Sequence, residues 1–219
     1  MTFNFLIRDS MGWSLLFFIL VVVAVCTQLA KTSIAKSVPG IVLHLIKAAP
    51  ALFLAGLSWH LHEPLLLTLG LLLCGCGDIL LDIPKEKASW GFEAGALAFA
   101  AALICLSIAY LGKPLAGHLL MPLSLTNLVI AVFILRWVLP KIKGSGRILE
   151  VSYFGILIIS NIIASTSNVS IFLGSSLWLM SDLSIGLSSN VSDTPASSLD
   201  TLGLYDIGLY SIAIGFLNS

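Results

Sequence analysis

The chain has 219 residues, of which 58% are hydrophobic and only 10% are charged, and its mean hydropathy is +1.05. A soluble domain carries about 25% charged residues, so this composition excludes a water-soluble globular protein. The 11 basic residues balance the 11 acidic ones, and the lack of a net positive charge argues against a nucleic-acid partner.

Eight apolar segments follow one another along the chain, and membrane-spanning helices need roughly 20 apolar residues each. The segments cover residues 12–30, 38–57, 64–83, 90–111, 118–139, 149–167, 169–188 and 202–218. They are too long and too continuously apolar for barrel strands, and in lipid only helices or closed barrels satisfy their own backbone groups. The sequence therefore predicts an all-α, polytopic membrane helix bundle that forms a single transmembrane domain over residues 1–219.

The connections between these segments are short, apart from a polar loop over residues 189–201. Only the polar run over residues 165–168 separates the sixth segment from the seventh. The connections after odd-numbered segments contain seven Lys or Arg residues, whereas the other connections and the termini contain only Arg8 and Lys113. Because basic residues concentrate in cytoplasmic loops, we expect both termini to face away from the cytoplasm.

Three ionisable residues lie too deep in the predicted helices to reach water easily. Asp78 lies 14 residues after Pro64, and Asp182 lies 14 residues after Asn168. Both are therefore expected about 21 Å into an apolar core of ~30 Å, and Lys47 lies near the middle of its helix. A charge at such a depth costs at least about 2.5–3.5 kcal/mol and is a functional hypothesis by default. We predict that the three side chains converge on one site, with a structural ion pair as the alternative.

Five further polar residues lie closer to the expected cytoplasmic ends of their helices: Asp82, Glu93, Glu150, Tyr153 and Asp206. We predict that all of them except Glu150 line the substrate-binding part of the same site. A position near the membrane boundary also lets Asp82 and Glu93 reach water, and Asp206 could simply start its helix. The four cysteines lack the spacing of a metal site. Nothing in the pattern requires a metal or an organic cofactor.

Several of these residues carry a family resemblance. Gly77-Asp78-Ile79-Leu80-Leu81 resembles one signature of the YhhN, or lysoplasmalogenase-like, membrane family. The glycine-led helix that ends in Ser181-Asp182 resembles a second signature of that family. Further similarities occur at Lys47 with Pro50, at Phe92, Gly95 and Phe99, and at Tyr153. The resemblance spans about residues 40–215 and extends to helix number and motif order.

The resemblance implies an enzyme that cleaves the vinyl-ether bond of a lysoplasmalogen into a fatty aldehyde and a glycerophospho-head group. Two acids in one apolar pocket suit this reaction, because one of them is kept protonated. Asp78 and Asp182 are the expected catalytic pair, while Lys47 would hold the lipid phosphate and Tyr153 would position water or the ether oxygen. The partner would be a membrane lipid or lysophospholipid, and the location a bacterial inner membrane.

The sequence departs from the family pattern at three positions, where Leu103, Leu106 and Leu209 replace a His, a Tyr and a Gln. These replacements leave open a catalytically impaired, lipid-binding membrane homologue. A small transporter is a third interpretation of the sequence. This interpretation predicts an inverted repeat with polar residues in both leaflets. The sequence shows neither of these features.

Overall fold

The computed structural model describes residues 3–34, 37–83, 90–113, 120–141, 147–190 and 199–217. Within these ranges the chain forms helices and no strand, which confirms the predicted all-α class. The helices are α1 (Phe3–Leu29), α2 (Lys31–Ile34), α3 (Gly40–His60), α4 (Leu65–Leu81), α5 (Gly91–Leu111), α6 (Met121–Val138), α7 (Arg147–Ala164), α8 (Val169–Asn190) and α9 (Leu204–Leu217).

The described helices also agree with a membrane-spanning chain. Six of them contain stretches that are long and apolar enough to cross a membrane: Met11–Leu29, Gly40–His60, Gly91–Leu111, Met121–Val138, Arg147–Ala164 and Val169–Ser188. The remaining two apolar stretches, Leu65–Leu81 and Thr201–Leu217, are shorter. The prediction of a polytopic helical bundle is therefore confirmed, with two of its eight members shorter than expected.

The polar run over residues 165–168 separates helix α7 from helix α8, as the sequence predicts. Asn168 explains the break, because its side-chain oxygen accepts a hydrogen bond of 2.9 Å from the backbone N–H of Ile171. A hydrogen bond of this kind is typical of the residue that caps the N-terminus of a helix. Its amide nitrogen donates to the carbonyl oxygen of Gly215 at 2.6 Å, so the same side chain also ties the start of α8 to the end of α9.

The predicted loop over residues 189–201 is only partly a loop. Helix α8 continues to Asn190, and a π-helical turn over Leu199–Gly203 precedes α9. The part of the loop over residues 191–198 lies outside the described residues, as do the basic residues Lys85, Lys87 and Lys143.

Helices α4 and α5 run antiparallel and pack closely at glycines. A Cβ added to Gly95 would lie 2.7 Å from Leu81 at the end of α4, and one added to Gly70 would lie 2.7 Å from Leu106. Helices α3 and α4 are also antiparallel. The hydroxyl of Ser58, near the end of α3, is hydrogen-bonded to that of Thr68, near the start of α4, at 2.9 Å. The starts of α3 and α5 therefore meet the end of α4 at one end of the bundle.

Helices α8 and α9 form a second antiparallel pair. An added Cβ at Gly208 would lie 2.8 Å from the carbonyl oxygen of Gly174, and one at Gly215 would lie 2.6 Å from a side-chain carbon of Ile171. Small residues allow such close backbone approach in membrane bundles. The end of α8 and the start of α9 are consequently adjacent, and the side chains described next come from these helix ends.

Candidate active site

A cavity of about 530 Å³ lies where α3, α5, α7 and α9 begin and where α4 and α8 approach their ends. Lys47, Asp78, Tyr153 and Asp182 all line it. The volume falls within the roughly 300–1,000 Å³ that is typical of small-molecule sites. The structure thus brings the two deep aspartates and the deep lysine to one cavity from three different helices.

Asp78 is buried on α4, with only 3% of the residue exposed. The hydroxyl of Tyr205 donates a hydrogen bond of 3.2 Å to its Oδ2. The ammonium group of Lys47 lies 3.8 Å from its Oδ1 and donates to its backbone carbonyl oxygen at 3.5 Å. Each carboxylate oxygen of Asp78 therefore faces a different side chain of the site.

Asp182 on α8 has two donors that share one oxygen. The hydroxyl of Tyr153 donates a short hydrogen bond to its Oδ2, and the indole N–H of Trp178 donates to the same atom at 3.0 Å. Trp178 lies one helical turn before Asp182, so the helix itself sets this pairing. Among the described residues no hydrogen bond reaches Oδ1 of Asp182, and this oxygen is left for a substrate or a water molecule.

Three aromatic rings connect the two aspartates. Trp178 and Tyr205 meet edge to face with ring centroids 5.4 Å apart, and Phe99 lies 6.2 Å and 5.8 Å from them. Such pairs contribute about 0.5–1.5 kcal/mol beyond the burial of their surface. Because Trp178 donates to Asp182 and Tyr205 donates to Asp78, the packing of these rings fixes both carboxylates relative to each other.

The rest of the lining is largely apolar. Its apolar side chains come from α4, α5, α7 and α8: Leu81, Phe92, Ala96, Phe99, Phe154 and Ile185. Phe92 and Ile185 are also more than a third exposed on the outside of the bundle. The cavity therefore combines a buried pair of acids with a wall that an aliphatic chain can contact.

Asp82 was predicted to bind substrate but lies outside the lining of the cavity, just beyond the last residue of α4. Its carboxylate binds the Lys31 ammonium group at 2.5 Å and the His44 ring nitrogen Nδ1 at 2.7 Å. Burial raises the pKa of Asp82, but the hydrogen bonds from Lys31 and His44 and the charges of Lys47 and Lys31 together hold this pKa below its usual value of 3.8. Lys31 and His44 thus hold Asp82 outside the lining, and its role in substrate binding stays a prediction.

Glu93 and Asp206 also lie outside the lining because of the rotation of their helices, and their role in substrate binding stays a prediction. On α5 the side chains of Phe92, Ala96 and Phe99 face the cavity, so Glu93 points to the exposed side of the helix. On α9 Tyr205 faces the cavity, and the next residue, Asp206, is turned away by about 100°. Asp206 is completely buried, and neither of its carboxylate oxygens has a hydrogen-bond partner among the described residues.

Two lining residues that bear on the chemistry were not among the predicted site residues. Glu150 lines the cavity from the first turn of α7, and Tyr205 supplies the donor to Asp78 from the start of α9. A signal for Glu150 was present, because residues three apart on a helix share a face and Glu150 precedes Tyr153 by three positions. Tyr205 offered no comparable signal, since an aromatic residue in a membrane helix is usually a packing residue.

The three leucines that replace polar residues of the family pattern lie in the hydrophobic core. Leu103, Leu106 and Leu209 are at most 2% exposed, and none of them lines the cavity. Leu106 fills the space beside Gly70, where an added Cβ would be 2.7 Å from its Cγ. In this chain the three leucines are therefore packing residues that lie outside the described cavity lining.

A comparison with known protein families covers the part of the chain that forms the cavity. The sequence model of the YhhN family matches residues 42–216. The chain belongs to the YhhN family. No curated protein and no solved structure matches it. The matched range includes every lining residue of the cavity and confirms the resemblance on which the sequence analysis depended. Within the described residues, no group of three or more His, Cys, Asp or Glu side chains could hold a metal ion.

Proposed function

We propose that this protein is a membrane-embedded hydrolase that cleaves the vinyl-ether bond of a lysoplasmalogen. The products would be a fatty aldehyde and a glycerophospho-head group. Membership of the YhhN family suggests a lysoplasmalogenase-like membrane protein. The observation that carries the proposal is the pair of aspartates that line one largely apolar cavity, held by Tyr205 on one side and by Tyr153 with Trp178 on the other.

The chemistry requires one acid and one carboxylate. In the first step a protonated carboxyl group gives its proton to the alkene carbon that does not bear oxygen, and an oxocarbenium cation forms. The second carboxylate stabilises this cation and takes a proton from the water that attacks the carbon bearing oxygen. The resulting hemiacetal loses its hydroxyl proton as its bond to the glycerol oxygen breaks, and that oxygen is protonated. One water molecule is consumed, and Asp78 and Asp182 share the two roles.

The remaining side chains suit a lysolipid. Lys47 is the cation nearest Asp78 at the cavity and could bind the lipid phosphate. Tyr153 could orient the ether oxygen or the attacking water while it donates to Asp182. The alkenyl chain would lie along the apolar wall and enter sideways between helices at the exposed edge near Phe92 and Ile185.

We infer the membrane orientation from the charged connections. If the connections after odd-numbered helices are cytoplasmic, as their basic residues predict, the cavity lies in the cytoplasmic leaflet and both termini face the other side. A bacterial inner membrane is the expected location. A lysophospholipid formed in that leaflet would then reach the cavity without crossing the bilayer.

The test is turnover by the purified, lipid-reconstituted protein and its aspartate variants. Asp78→Asn and Asp182→Asn keep the shape of each side chain and remove the ionisable proton. We expect each change to lower kcat by about 10²-fold or more. The double variant should lose little beyond the worse single variant, because the two groups act as a unit. Glu63→Gln changes a residue between α3 and α4, at the other end of the bundle, and is the matched control that should retain full turnover.

Two results would decide against the proposal. Full activity of both single variants would exclude the aspartate pair from the reaction. A folded wild-type protein that binds lysolipids but releases no aldehyde from any lysoplasmalogen would instead favour the noncatalytic lipid-binding homologue.

A further inference from the structure

Glu150 lines the cavity about one helical turn before Tyr153. It lies three residues before Tyr153 on α7, so its Cα is about 4.5 Å nearer the start of that helix. Tyr153 in turn donates to Asp182. Glu150 therefore lies between the proposed reaction centre and the end of the bundle, on the side where the polar end of a lysolipid would lie.

Among the described residues, the carboxylate of Glu150 has no partner, unlike the carboxylates of the two aspartates. Asp78 faces Lys47 and Tyr205, and Asp182 accepts bonds from two donors. Within the described part of the chain, Glu150 makes neither a hydrogen bond nor an ion pair. Glu150 is only partly exposed. A partly buried carboxylate in an otherwise apolar wall is best satisfied by a positively charged group of a ligand.

Aromatic side chains accompany this carboxylate in the lining. Phe154 follows Tyr153 on α7 and lies four residues after Glu150, so the two side chains share one face of the helix. Aromatic faces attract ammonium groups, and the attraction is strongest for desolvated cations. A carboxylate near aromatic rings is thus a chemically suitable environment for an alkylammonium group, and an unsuitable one for a second anion.

We propose that Glu150 is the specificity-determining residue of this cavity and pairs with the ammonium group of a lysophospholipid head group. The cavity then prefers head groups that carry an amine to head groups that carry only negative charge. This inference rests on the proposed function for the orientation of the substrate, with the vinyl ether at the aspartates and the head group towards the start of α7. Binding of the head group itself does not depend on turnover.

The experiment measures binding with lipids that cannot be hydrolysed. Saturated alkyl-ether lysophospholipids of one chain length serve as probes, with phosphoethanolamine, phosphocholine or a bare phosphate as the head group. We expect Glu150→Gln to weaken binding of the two amine probes by about tenfold, as for the loss of one charge-assisted contact. Binding of the bare-phosphate probe should stay the same or become tighter. Glu150→Asp should keep the preference, because it retains the carboxylate.

Glu63→Gln is the matched control, since it removes a partly exposed glutamate between α3 and α4, at the other end of the bundle from the cavity. Equal weakening of all three probes by Glu150→Gln, or an unchanged preference, would overturn the assignment of Glu150. The outcome is separable from that of the proposed function. A preference that depends on Glu150 without any aldehyde release would contradict only the hydrolase. Aldehyde release with a preference that Glu150→Gln does not change would contradict only the role of Glu150.

Discussion

Gly174 on α8 offers a direct test of how helix packing holds the site together. A Cβ at this position would overlap the carbonyl oxygen of Gly208 and would lie 2.8 Å from the backbone nitrogen of Ile212. An ordinary contact begins at 3.4 Å, so α9 must move away by roughly 0.6 Å or more to accept the methyl group. The opposing atoms belong to a helix backbone and cannot move aside as a flexible side chain can.

We therefore expect Gly174→Ala to lower the stability of the protein by about 1–3 kcal/mol, the usual cost of overpacking. For a chain of this size that is a fall in Tm of very roughly 2–12 °C. The same displacement moves Tyr205 relative to Asp78, so aldehyde release should fall as well. Thermal unfolding in detergent and turnover in lipid measure the two effects.

The matched control is Gly155→Ala on α7, where an added Cβ meets nothing within 4 Å. This change should be neutral or slightly stabilising, because alanine favours a helix more than glycine does. If Gly174→Ala unfolds at the same temperature as Gly155→Ala, the close packing of α8 against α9 is not what holds the site, and the reasoning is refuted.

Three other predictions concern features around the cavity. Asp82→Asn should cost roughly 1 kcal/mol of stability through weaker pairing with Lys31 and His44, and it should leave KM unchanged; a raised KM would make Asp82 a substrate ligand. At Glu63, between α3 and α4, burial raises the pKa above 4.5 and Lys113 only partly opposes this. The contribution of protonated Glu63 to the stability of the protein is present below its ordinary pKa of 4.5 and is lost as the pH rises through the raised pKa. Glu63→Gln should therefore raise Tm at pH 7 but not at pH 4, and an equal gain at both would contradict this. A C-terminal reporter that is active only in the cytoplasm should stay silent, and a strong signal would reverse the orientation.

The fold and the depth of the acids could be predicted from the sequence because each depends on position along the chain. Hydropathy determines where an apolar helix begins and ends, and Asn168 marks the break between α7 and α8. The number of residues from a helix end determines depth, and this placed Asp78 and Asp182 at matching levels. Both side chains do line one cavity.

The side of each helix that faces the cavity could not be predicted in the same way. In a soluble protein an apolar stripe marks the buried face, but a membrane helix is apolar both towards lipid and towards its neighbours. The sequence therefore contains no signal that turns Glu93 outwards, and the one signal for Glu150, its spacing from Tyr153, depends on Tyr153 facing the site. The ion pairs of Asp82 could not be predicted for another reason, because its partners Lys31 and His44 are distant in sequence and only the folded chain brings them together.

Turnover in D₂O tests the central claim most directly, because the proposed acid delivers its proton to carbon. The reconstituted protein would hydrolyse a lysoplasmalogen in D₂O, and the aldehyde would be reduced at once to an alcohol to prevent further exchange. Mass spectrometry should then find one deuterium on the carbon next to the former carbonyl, with release abolished in Asp78→Asn and Asp182→Asn. Aldehyde without deuterium at that carbon, or equal release by the wild type and both variants, would contradict the account.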